Sequence, residues 1–84
     1  MTTTTKLTIV LRQNEAMPSI ELLTSLCEAV SKNLWWYQTL SNPRVNEKTS
    51  AIDFDFVHSE MWDNSNLAWG MVSGYLLANG FFGA

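Results

Sequence analysis

Apolar and polar positions alternate from Lys6 to Arg12, where Leu7, Ile9 and Leu11 are separated by Thr8 and Val10. A period of two predicts a strand with one buried face. Asn14 to Pro18 breaks the alternation, and the Pro18 ring pre-sets the backbone for a first helical turn. From there the spacing turns helical. Ile20, Leu23, Leu26, Cys27, Val30, Leu34 and Tyr37 share one stripe, with Glu21, Thr24, Ser25, Glu28 and Lys32 on the opposite side.

Thr39 to Thr49 loses all period and carries Ser41, Asn42, Pro43 and Asn46, which reads as a loop. A second strand follows over Ser50 to His58, with Ile52, Phe54 and Phe56 turned inward between Asp53, Asp55 and Val57. Asp63 or Asn64 is placed to cap a last helix over roughly Asn66 to Ala78, and Gly80 to end it in a left-handed conformation.

These elements predict an α+β domain of order β-α-β-α, in which a short two-stranded sheet packs on two helices in two layers. The single domain spans residues 1–84, with 1–5 as a frayed lead-in. A helix that returns along the first strand delivers the chain to that strand's start, so the second strand is expected to lie parallel to the first. Two strands leave both sheet edges unpaired, which invites strand addition or self-association.

At 84 residues the chain buries only about 60% of its unfolded surface, so every apolar face is needed. The last helix then stands out, because no charged residue occurs from Asn64 to Ala84 and apolar groups lie on most of its sides. It is expected to be covered by the sheet, the first helix or a partner. Gly70 and Gly74 form a G-x-x-x-G pair, but Ser73, Asn79 and the missing basic anchors argue against a membrane span. Gly70, Gly74 and Ala78 are instead expected to form a small-residue strip where the helix crosses another element.

Charge splits along the chain. Residues 49 to 84 carry Asp53, Asp55, Glu60 and Asp63 with no Lys or Arg. An anionic half disfavours direct nucleic acid contact, which needs a basic stripe. Cys27 is the single cysteine, so no intramolecular disulfide forms, and a cytoplasmic, reducing compartment is expected.

Chemistry is sparse. His58 is the single histidine, placed within reach of Asp55, Glu60 or Asp63, but the spacing of these carboxylates matches no calcium or zinc pattern. No phosphate-cradling glycine motif is present. We therefore expect no enzyme activity, no metal and no cofactor.

The four tryptophans rise above this background. If the first helix runs on, Trp35 and Trp36 project on its polar side as an exposed aromatic pair; if it stops near Asn33, that placement fails. Trp62 sits among Asp55, Glu60 and Asp63, giving an acidic patch with an aromatic centre. Such residues suit a basic groove on a larger protein, with charge speeding encounter and the rings supplying affinity. In acidity, aromatic content and size the chain is similar to small bacterial immunity proteins, antitoxins and phage-encoded inhibitors of host defence. That likeness is one of composition alone. The expected function is a small inhibitor or accessory protein that binds through Trp35, Trp36, Trp62, Asp55, Glu60 and Asp63. The alternative is a structural subunit or homodimer assembled through the uncharged last helix and the sheet edge.

Overall fold

The computed structural model describes residues 2–12, 16–34, 38–61 and 63–83. The chain is α+β with three strands and two helices: β1 (Thr2–Val10), α1 (Ile20–Asn33), β2 (Thr39–Asn46), β3 (Ala51–Ser59) and α2 (Ser65–Ala78). The sheet order is β1-β3-β2, and both pairings are antiparallel.

Two expectations are corrected here. The sheet has three strands, not two, because Thr39–Asn46 is a strand and not a loop. Its signal was hidden by an irregularity between Ser41 and Arg44, where the register shifts. Leu40 pairs with Phe56 and Val45 with Ile52, so six residues of β2 span five of β3. One inserted residue throws the two inward side chains out of any period of two.

The pairing of β1 with β3 is also antiparallel, not parallel. The crossover argument applied to the strand that was missed: α1 leads into β2, which runs in the same direction as β1. The β2–β3 turn then sends β3 back between them. That turn uses Ser50 at φ 53°, and the Asn46 side-chain oxygen accepts from the Lys48 N–H at 3.1 Å.

Thr2 to Thr5 pair with Ser59 to Phe56 as the first half of β1. The inward face carries Leu7, Ile9, Leu11, Ile52, Phe54 and Phe56, all buried, together with Leu23, Leu26, Cys27, Val30 and Leu34. Ile20 departs from the expected stripe and is 55% exposed, because it opens the helix. The N-cap is Ser19, whose hydroxyl accepts the Leu22 N–H at 3.1 Å, so Pro18 stands just outside the first turn.

α1 ends at Asn33 with Leu34 as its C-cap. Trp35 and Trp36, with Tyr37 and Trp62, lie outside the described residues. α2 begins one residue earlier than expected, with Asn64 at the N-cap position and the Asp63 carboxylate accepting the Ser65 N–H at 2.8 Å. Gly80 has φ 88°, the left-handed value expected of it.

Candidate functional site

α2 presents four stripes of residues spaced four apart, and each meets a different environment. Ala68, Val72 and Leu76 are buried in the core. Met71 and Tyr75 are partly buried beside Ala29, Val30 and Asn33 of α1. Gly70, Gly74 and Ala78 face outward, and a Cβ added at either glycine meets nothing within 4 Å. The expected small-residue crossing is therefore absent; these positions are open surface. Trp69, Ser73 and Leu77 turn toward the β1 side and line a groove of about 190 Å³ with Val10, Leu11 and Phe81.

That flank is apolar and uncovered. Val10 is 47% exposed, Trp69 49% and Leu77 56%, and all three line the groove. Contiguous exposure of this kind marks interaction surfaces more often than scattered single residues do. The C-terminal segment closes one end of the groove: Gly83 bridges Leu11, the Arg12 N–H donates to the Phe82 carbonyl at 3.1 Å, and the Arg12 guanidinium lies over the Phe82 ring at 5.2 Å.

The sheet edge above the groove is open. Leu11 donates its N–H to the Ser50 carbonyl at 2.8 Å, toward β3, while Arg12 donates away from it. Because antiparallel backbone groups alternate, the peptide groups of Thr2, Thr4, Lys6, Thr8 and Val10 also point away from β3. They meet no partner among the described residues. The β2 edge is different. Its outward Leu40 N–H donates to Ser31 Oγ at 2.9 Å, and the Ser31 hydroxyl donates back to the Leu40 carbonyl at 3.3 Å. Asn42 at φ 54° and Pro43, which has no N–H, occupy the irregularity that follows.

Of the sequence-predicted residues, the described ones divide between the outer sheet face and the β3–α2 connection. Asp55 lies on the outer sheet face, accepting from Asn42 Nδ2 at 3.0 Å and from Arg44 Nη1 at 3.1 Å. The Asn42 hydrogen bond and the Arg44 guanidinium hold its carboxyl below the usual range. It sits roughly 13 Å along the strand from Ser59, at about 3.3 Å per residue. Asp53 shares that face and accepts from the Thr8 hydroxyl at 2.6 Å. Glu60 and Asp63 are exposed in the β3–α2 connection, and the Ser65 N–H lowers the Asp63 carboxyl. Met61 between them is 93% exposed.

His58 is on the inner face, buried and stacked on Phe56 at 5.2 Å between ring centroids. Its Nδ1 lies 2.8 Å from the Ser59 carbonyl, which only accepts, so Nδ1 carries a proton, and Nε2 lies 2.7 Å from the Thr5 hydroxyl oxygen. Asp53 and Asp55 point to the opposite face, while His58 is among the groups that lower the Asp63 carboxyl. Among the described residues no group of three or more His, Cys, Asp or Glu is placed to hold a metal ion. Burial raises the Cys27 thiol to about 11.

Sequence reasoning singled out the uncharged last helix and the Phe81–Phe82 tail but passed over Trp69, Leu77 and Val10 as individual surface residues. The available signal was a second apolar pair, Trp69 and Leu77, one position beyond the buried Ala68–Val72–Leu76 stripe of an uncharged helix. No helix among the described residues is long and apolar enough to cross a membrane. No protein-family model, no curated protein and no solved structure matches the chain.

Proposed function

We propose that this chain is a protein-binding module with no chemistry of its own, and that it binds through the flank formed by β1, α2 and the C-terminal segment. One observation carries the reading: Trp69 and Leu77 are left half-exposed along an apolar groove that Val10, Leu11 and Phe81 also line, beside the β1 edge. In a chain this small, apolar area is scarce, and leaving it uncovered in the isolated fold favours a protein that covers it. The absence of enzyme activity is supported by His58, both of whose ring nitrogens are engaged, and by the protonated, buried thiol of Cys27. A free thiol suits a cytoplasmic setting. The test is Trp69→Glu, which places a charge in the groove at a half-exposed position. The variant should melt as the parent does yet lose association, and association that survives the change would refute this assignment of the surface.

A second reading keeps the inhibitor or accessory protein that docks on a larger, basic target through Glu60 and Asp63, with Trp35, Trp36, Trp62 and Asp55. The exposed Met61 knob between two carboxylates favours it. Glu60→Lys should then slow association and flatten its salt dependence, with Trp69→Glu without effect.

A further inference from the structure

We draw no further inference here: the strongest candidate, the apolar groove between β1 and α2 lined by Val10, Trp69 and Leu77, belongs to the surface already described, and nothing in the structure shows what covers it.

Discussion

Thr5 Oγ1 lies 2.7 Å from His58 Nε2 and gives the buried imidazole its second hydrogen bond. Replacing Thr5 by the isosteric valine leaves that nitrogen without a hydrogen-bond partner, at a cost of about 1–3 kcal/mol. Urea unfolding of Thr5→Val should show this loss. Adding His58→Phe should recover much of it, since an apolar ring stacked on Phe56 leaves nothing unsatisfied. Single and double changes of equal stability would mean that the bond contributes nothing.

Phe54 is fully buried in β3, flanked by Leu7 on β1. Phe54→Ala should cost about 3–5 kcal/mol, a large part of the stability of a domain this size. Ile20→Ala, at an exposed helix start, should stay within about 0.5 kcal/mol of the parent. Thermal melts of the two variants side by side check the inward face.

Asp55 ties the outer sheet face to acid stability. Its carboxyl is lowered by Asn42 and Arg44, so its contribution is fully present above the ordinary carboxylate range. The contribution is lost as pH falls through the lowered folded-state value. Melting temperature of the parent should therefore drop more steeply on acidification than that of Asp55→Asn. Parallel profiles would show that the Arg44 pair, partly exposed to water, is too well screened to matter.

Cys27 should be silent toward thiol reagents in the native state. Burial raises its pKa to about 11, so little thiolate exists at neutral pH, and the sulfur is enclosed. Labelling by an aromatic disulfide reagent should follow denaturant unfolding. Rapid reaction of the folded protein would mean that α1 opens locally at far lower cost than the whole domain.

Both β1 and β3 were legible because one face of each is buried without interruption, from Leu7 to Leu11 and from Ile52 to Phe56. The α1 core stripe was legible for the same reason at helical spacing. β2 was not, since its two inward residues Leu40 and Val45 are five apart across an inserted residue, with Asn42 and Pro43 reading as a turn. Strand order followed from that omission: with β2 missing, the crossover had no strand to lead to but β3. At the candidate site, the lack of charge after Asn64 announced a helix in need of cover, but which stripe stays bare depends on where β1 and α1 end beneath it. Trp69 and Val10 meet only in three dimensions, and no spacing along the chain joins them. His58 read as a strand-end residue near carboxylates, but the even-numbered positions of β3 face the core, and it follows Phe56 inward.

The hydroxyl of Ser31 shields part of one margin of the sheet. It occupies both outward peptide groups of Leu40, and Pro43 nearby offers no N–H to an incoming strand. Ser31→Ala would bare the Leu40 groups, so the change that costs one side-chain contact would also remove a guard against edge-to-edge aggregation.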